Sequence, residues 1–258
     1  MRKMDTRRLL SYMRRAVDDY GMIQPGDRIA VGISGGKDSL ALLAGLAAMR
    51  RFYKNPYEVV ALTIDMGFEN ADYSGIEAFC RDLDVPYHVK KTDIGPIIFD
   101  IRKEKSPCAL CAKMRRGVLH STAKELGCNK VALGHHRDDA IETFMLNLFH
   151  EGRIGCFEPI SYLSRRDITV IRPLVYMPEK DVSYFANREK LPVYKAPCPA
   201  DGHTQREEMK QMLAEWERKY DGVNFRIFGA IQRGEIDGFK QIRGIQKKSA
   251  SYLGEEEE

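Results

Sequence analysis

Apolar positions follow two rhythms along this chain. Short unbroken apolar runs, rich in β-branched residues, stand at Arg28 to Ile33, Tyr57 to Asp65, Tyr87 to Val89 behind Pro86, Lys130 to Gly134 and Ile168 to Arg172. Runs that are apolar throughout, rather than alternating, predict strands covered on both faces. Between and after them, helical spacing predicts helices over Thr6 to Tyr20, Leu40 to about Tyr53, Ala71 to Leu83, Ala109 to Leu126, Asp138 to His150, Glu179 to Glu189 and Gln205 to Tyr220. The first carries Leu9, Leu10, Met13 and Val17 as a stripe among basic residues. Gly21, Pro25-Gly26, Asn55-Pro56 and Gly127 punctuate the series. Alternating strands and helices imply an α/β fold: a doubly wound parallel sheet with helices on both faces and a small helical C-terminal extension. The expected divisions are an N-terminal basic helix (1–24), the α/β domain (25–175), a helical extension (176–244) and an acidic-ended tail (245–258).

In such sheets ligands sit beyond the carboxyl ends of the strands. Ser34 to Ser39, the neighbourhood of Asp65 and the segment after Gly134 all fall there. Ser34-Gly35-Gly36-Lys37-Asp38-Ser39 joins a buried strand to a helix. Two adjacent glycines let the backbone approach a ligand and adopt positive φ. Unpaired amides at the helix start, with its dipole, favour an anion. Ser34 and Ser39 add hydroxyls and Lys37 adds charge. The turn therefore reads as a phosphate cradle. It is neither the P-loop, whose glycines lie further apart, nor the Rossmann turn. Its S-G-G-x-D-S wording resembles the PP-loop of the ATP pyrophosphatases, a family that holds the β,γ-pyrophosphate of ATP.

The chain has 258 residues, 43% hydrophobic and 30% charged, with a formal net charge of +4. These values suit a globular protein, and no apolar run approaches a membrane span. No apolar stretch follows the basic start, so a cytoplasmic location is expected. Basic residues cluster at Arg14-Arg15, Arg50-Arg51, Lys113 with Arg115-Arg116, Arg165-Arg166 and Lys247-Lys248; each is a candidate phosphate contact or simply solvated surface. The six cysteines are Cys80, Cys108, Cys111, Cys128, Cys156 and Cys198. In this context metal binding or thiol chemistry is a better reading than a disulfide framework. Cys80 and Cys128 stand among apolar neighbours and read as buried hydrophobes. Cys156 stays open.

Two further motifs carry chemistry. Gly134-His135-His136-Arg137-Asp138-Asp139 lies where a strand becomes a helix. Carboxylates there, with Asp38 facing them, can hold Mg²⁺ on a triphosphate. We expect Asp139 to be functional and Asp138 to cap its helix. Cys108-Ala109-Leu110-Cys111 places two thiols on one turn, and Cys198 sits between prolines in an irregular segment. Taken alone, the pair fits zinc, iron–sulfur or a redox dithiol.

In order and spacing, four features resemble the tRNA 2-thiocytidine synthetases from about residue 25 to residue 220. They are Ser34 to Ser39, Cys108 to Cys111 with Met114-Arg115-Arg116-Gly117, Gly134 to Asp139, and Cys198 ahead of Gln205-Arg206. The proline-rich surroundings of Cys198 depart from the family's repeated cysteine pair. The resemblance implies an ATP- and Mg²⁺-dependent enzyme. It would adenylate the C2 oxygen of an anticodon-loop cytidine and replace it with sulfur through a 4Fe–4S cluster. By the same resemblance Lys37, Asp38 and Asp139 act in catalysis, Ser34, Gly35, Gly36, Lys37, Asp38, Ser39 and Gly134 bind the nucleotide, and Cys108, Cys111 and Cys198 hold the cluster. The implied partners are tRNA, ATP, a sulfur donor such as a cysteine desulfurase, and a second copy of the chain. Lysidine synthetases share the turn and the histidine–aspartate motif but need no cysteines. A thiolase carrying persulfide on Cys108 or Cys111, and an RNA-binding protein with a Cys₃His zinc using His203, remain as rivals.

Overall fold

In the computed structural model, residues 4–102, 107–194 and 205–241 are described. Six strands form a single sheet in the order β3-β2-β1-β4-β6-β5. β1 (Asp27–Ile33), β2 (Tyr57–Asp65), β3 (Tyr87–Lys91), β4 (Lys130–Ala132) and β6 (Ile168–Ile171) are parallel, and β5 (Ile160–Leu163) lies antiparallel at the edge. The apolar runs become the parallel strands because helices shield both their faces. β5 had no sequence signal: its short, half-exposed stretch depends on pairing with β6.

The helices are α1 (Arg7–Tyr20), α2 (Lys37–Met49), α3 (Ser74–Asp82), α4 (Ile94–Pro96), α5 (Pro107–Glu125), α6 (Arg137–His150), α7 (Glu179–Arg188), α8 (Gln205–Lys219) and α9 (Val223–Arg233). A π-helical turn, Ile97–Arg102, continues α4. α9 was not anticipated.

The two faces of the sheet are covered unequally. On one, Leu9, Met13 and Val17 of α1 share a core with Leu40, Leu42, Leu43 and Leu46 of α2, Ile141 of α6, Val182 of α7, Leu213 of α8 and Phe228 of α9. α2 is buried on all sides, which explains its lack of a polar stripe. On the other face α5 supplies Leu119 and Ala123 against Val60, Val131 and Ile168. At the amino ends of the strands, Lys130 Nζ pairs with Asp27 at 2.7 Å and donates to the Met22 carbonyl at 2.8 Å. That buried pair is satisfied and lies opposite the rim described next.

Candidate active site at the carboxyl rim of the sheet

The chain runs outward from β1 to β3, then returns to place β4 on the other side of β1. The switch point between β1 and β4 opens a crevice at their carboxyl ends. Ser34 to Ser39 leaves β1 there, and Gly134 to Asp139 leaves β4. A Cβ on Gly134 would lie 2.9 Å from the Asp38 carbonyl carbon and 3.0 Å from the Ser39 nitrogen. Glycine is what lets the two turns touch.

Gly35 has φ +86°, and a Cβ there would strike the Tyr194 carbonyl oxygen. Tyr194 N–H donates back to the Gly35 carbonyl at 2.9 Å. This glycine is therefore required by the protein's own backbone as well as by its φ. The serines also serve the turn. Ser39 Oγ donates to the Gly36 carbonyl at 2.9 Å and accepts from Ser34 N–H at 3.2 Å, while Ser34 Oγ accepts from Gly36 N–H at 3.3 Å. The first-turn amides of Lys37, Asp38 and Ser39 have no acceptor within α2, and Gly36 caps that helix with no side-chain bond.

Lys37 Nζ lies 3.0 Å from Glu179 Oε1 and 3.3 Å from Asp38 Oδ1. Burial pulls the Lys37 ammonium down, but the two carboxylates outweigh it and leave it above its ordinary value. Glu179 also takes Lys210 Nζ of α8 at 2.8 Å. Burial pushes the Glu179 carboxyl up, yet Lys210 and Lys37 bring it down to about 2. Asp38 Oδ1 is sealed from solvent and makes no hydrogen bond among the described residues.

On the β4 side His136 caps α6. Its Nδ1 accepts from Asp139 N–H at 3.3 Å, and Asp139 Oδ2 accepts from His136 N–H at 2.8 Å. This corrects one expectation: Asp139, not Asp138, completes the cap of α6. Asp138 Oδ2 instead accepts the Glu179 N–H at 2.8 Å and so caps α7. Arg206 of α8 reaches Asp139 Oδ1 at 3.3 Å and Glu142 Oε2 at 3.1 Å. Burial and the neighbouring Asp139 charge raise the Glu142 carboxyl to about 7, with Arg206 opposing. His135 Nδ1 accepts from Arg172 Nε at 3.2 Å, which places the His135 proton on Nε2. Asp65 holds a local turn, accepting from Gly67 N–H at 3.0 Å.

Cys108 and Cys111 lie on the first turn of α5. That helix runs back toward the amino end of β4, so its start stands at the same rim. Cys108 is exposed and Cys111 half-buried, whereas Cys80 and Cys128 are fully buried hydrophobes. Burial raises the Cys156 thiol to about 12, and its Sγ donates to the Ala140 carbonyl at 3.3 Å. Cys198 and His203 lie outside the described residues.

Both expected metal groups are compatible with the donors present. Among the described residues no group of three His, Cys, Asp or Glu side chains could hold a metal. Asp38 Oδ1, which makes no hydrogen bond and has the Lys37 ammonium 3.3 Å away, would suit a Mg²⁺ once Lys37 turns to phosphate. The Cys108–Cys111 pair has the thiol chemistry that a cluster would need, and Cys198, expected as the third ligand, lies outside the described residues.

Glu179 and Arg172 were not singled out from the sequence. Glu179 opens a predicted helix and Arg172 closes a predicted strand. Only their positions at the rim mark them. In the sequence Arg206 stands out only by its place after Cys198.

A PP-loop domain family matches residues 5–216. A tRNA-cytidine(32) 2-sulfurtransferase of Geobacter sulfurreducens is 42% identical over 220 residues, which span 84% of this chain and 86% of that one. The chain belongs to this PP-loop tRNA 2-sulfurtransferase family. A second member, from Syntrophotalea carbinolica, is 39% identical and covers 87% of this chain and 88% of its own. Among solved structures, the U34-tRNA thiolase NcsA from Methanococcus maripaludis, with its 4Fe–4S cluster, superposes with a TM-score of 0.72 at 25% identity. The match covers 87% of this chain and 78% of that thiolase. Family membership agrees with the fold, the switch-point crevice and the cysteine pair on its rim.

Proposed function

We propose that this protein is an ATP-dependent tRNA sulfurtransferase that converts an anticodon-loop cytidine, C32 by its relatives' name, to 2-thiocytidine. The carrying observation is the phosphate cradle at the switch point with two cysteines at the same rim. The first-turn amides and Lys37 would hold the β,γ-phosphates. Asp38 and Asp139 would hold a Mg²⁺, which would supply positive charge to offset the charge of the phosphates. The cytidine O2 attacks the α-phosphorus, the bond to the bridging oxygen breaks, and pyrophosphate leaves with its charge met by the cradle. The adenylated C2 is then open to a sulfur nucleophile, and AMP departs carrying the former O2. Bound through Cys108, Cys111 and Cys198, a 4Fe–4S cluster would supply an iron position open to exchangeable sulfide.

Lys37 is held by Glu179 in this structure, so nucleotide binding would have to draw it from that carboxylate to phosphate. Glu179 would then keep Lys210 as its counter-charge. Dependence on a separate sulfur donor, a homodimer and a cytoplasmic location are proposed from family likeness. Among the described residues no helix is long and apolar enough to cross a membrane.

The test is anaerobic. Full-length protein should be brown, hold about four iron atoms per chain, and convert unmodified tRNA to 2-thiocytidine with stoichiometric pyrophosphate release. Cys108→Ala, Cys111→Ala and Cys198→Ala should each bleach it and stop thiolation while ATP still binds. Colourless protein with one zinc, or no tRNA-dependent pyrophosphate, would overturn the reading. A cluster that survives Cys198→Ala but not Cys156→Ala would move the third ligand to Cys156.

A further inference from the structure

On the α5 side of the sheet, the edge beyond β4 is formed by β6 and β5. Four basic side chains converge along the cleft between α5 and this β5–β6 hairpin. Arg166, in the hairpin turn, donates from Nη1 to the Gly117 carbonyl at 2.9 Å and to Ser121 Oγ at 2.5 Å, both on α5. Arg116 lies exposed on α5 and donates from Nε to the Ala112 carbonyl at 3.3 Å. Arg172, just past the carboxyl end of β6, donates to His135 Nδ1, to the Glu158 carbonyl at 2.5 Å and to Ser161 Oγ at 3.3 Å. Its guanidinium also stacks over Phe157, 5.0 Å from the ring centre. Between them His120 of α5 is 8% exposed, and its Nε2 is sealed with no hydrogen-bond partner among the described residues.

None of the three arginines makes a carboxylate ion pair among the described residues. The nearest acidic groups are committed or exposed. Asp167 is taken by Lys124 at 2.9 Å and by Tyr162 at 2.9 Å, and Glu158 gives Arg172 a main-chain hydrogen bond and a charge nearby but no ion pair. Burial and the charges of Arg166, Arg116 and Arg172 together push the His120 imidazole below its ordinary value, so it adds no cation of its own. Arg116 and Arg166 are exposed and Arg172 is half-buried, and like charges gathered along one cleft repel one another. The arrangement is relieved when an anion enters. From Arg166, before β6, to Arg172, beyond its end, the strand rise gives a span of roughly 20 Å, long enough for several backbone phosphates.

We propose that the cleft between α5 and the β5–β6 hairpin, lined by Arg116, Arg166 and Arg172 around His120, is a track for the phosphodiester backbone of the RNA substrate. The proposal rests on the reading that the substrate is RNA. It makes the hairpin a binding element and leads the strand toward Cys108, Cys111 and the switch-point crevice. The arginines hold backbone phosphates and so set register without reading sequence.

The experiment is tRNA binding to the full chain across a salt series, with Arg116→Gln, Arg166→Gln and the double variant. Each single change should weaken binding about fivefold and lower the log–log salt slope by about one, and the double by about two. Arg226→Gln, on the opposite face, should change neither. Because Arg166 ties the hairpin to α5, thermal melting is read alongside, and Arg166→Lys should restore the slope by returning the charge. Unchanged affinity and slope in folded Arg116→Gln and double variants would overturn the track. ATP affinity separates sources of phosphate: a loss for ATP with tRNA binding intact would reassign the cleft to nucleotide and overturn the RNA track. The outcome is independent of the reaction assignment. Failure of the wild type to make 2-thiocytidine would leave the binding result standing, and normal tRNA binding by the variants with thiolation intact would remove only the track.

Discussion

At the scale of single residues, the turn between β1 and α2 separates side chains that shape it from those that face a ligand. Gly35 belongs to the first kind. Gly35→Ala must place a methyl against the Tyr194 carbonyl at φ +86°. A stability loss of about 2 kcal/mol, read by urea denaturation, is expected. Lys37 belongs to the second kind. Among the described residues its ion partners are Asp38 and Glu179, both at the rim. Lys37→Ala should cut pyrophosphate release by about a hundredfold, in line with the loss of one preorganised charge at an anionic centre, with the melting temperature nearly unchanged. Equal activity would remove Lys37 from the cradle. Asp139 is of both kinds, which substitution can separate. Asp139→Asn keeps an acceptor for the His136 N–H but loses the charge, whereas Asp139→Ala loses both. If Asp139 acts only as a cap, the Asn variant keeps full activity; we expect it to be inactive and folded.

At the scale of elements, α6, α7 and α8 are tied together by partly buried ion pairs as well as by apolar contact. Arg206 of α8 clamps Asp139 and Glu142 of α6, and Glu179 of α7 holds Lys210 of α8. The clamp has a pH signature. Burial, with the Asp139 charge adding to it, raises Glu142 from 4.5 to about 7 in the folded chain. Between those values the folded state keeps a proton that the unfolded state releases, so this group's contribution falls as pH rises through the window. The total is on the order of 3 kcal/mol. Glu142→Gln cannot titrate, and the stability difference between wild type and variant should shift in the variant's favour from pH 5 to pH 8. A constant difference would mean that Glu142 is ionised throughout. Since α8 begins just after the segment bearing Cys198, Arg206→Ala should also lower iron content if the clamp positions that segment.

At the scale of the molecule, one order of strands explains why distant stretches meet. The return of β4 beside β1 brings Ser34–Ser39 and Gly134–Asp139 together, and α5 sets Cys108 and Cys111 at the same rim. Charge reversal of Arg115 and Arg116, exposed on α5, should weaken tRNA binding steeply at low salt and little at high salt. An unchanged affinity would leave these arginines to support the cysteine pair instead. The amino-acid pattern by itself determined the parallel strands, most helix positions, the phosphate turn and the two motifs that answer it. Those features rest on local periodicity, on glycine at a strand–helix turn and on fixed spacing within one element, all of which a linear chain displays. The strand β5, the helix α9, the transfer of the α6 cap to Asp139 and of Asp138 to α7, and the roles of Glu179, Arg172 and Arg206 were decided by tertiary structure alone. Each depends on a partner far away in sequence: β6 for an otherwise half-exposed strand, Lys37 and Lys210 for Glu179, His135 for Arg172. A hydrogen bond or ion pair between such residues leaves no periodic trace, because its energy comes from burial and proximity that exist only once the sheet has closed its order.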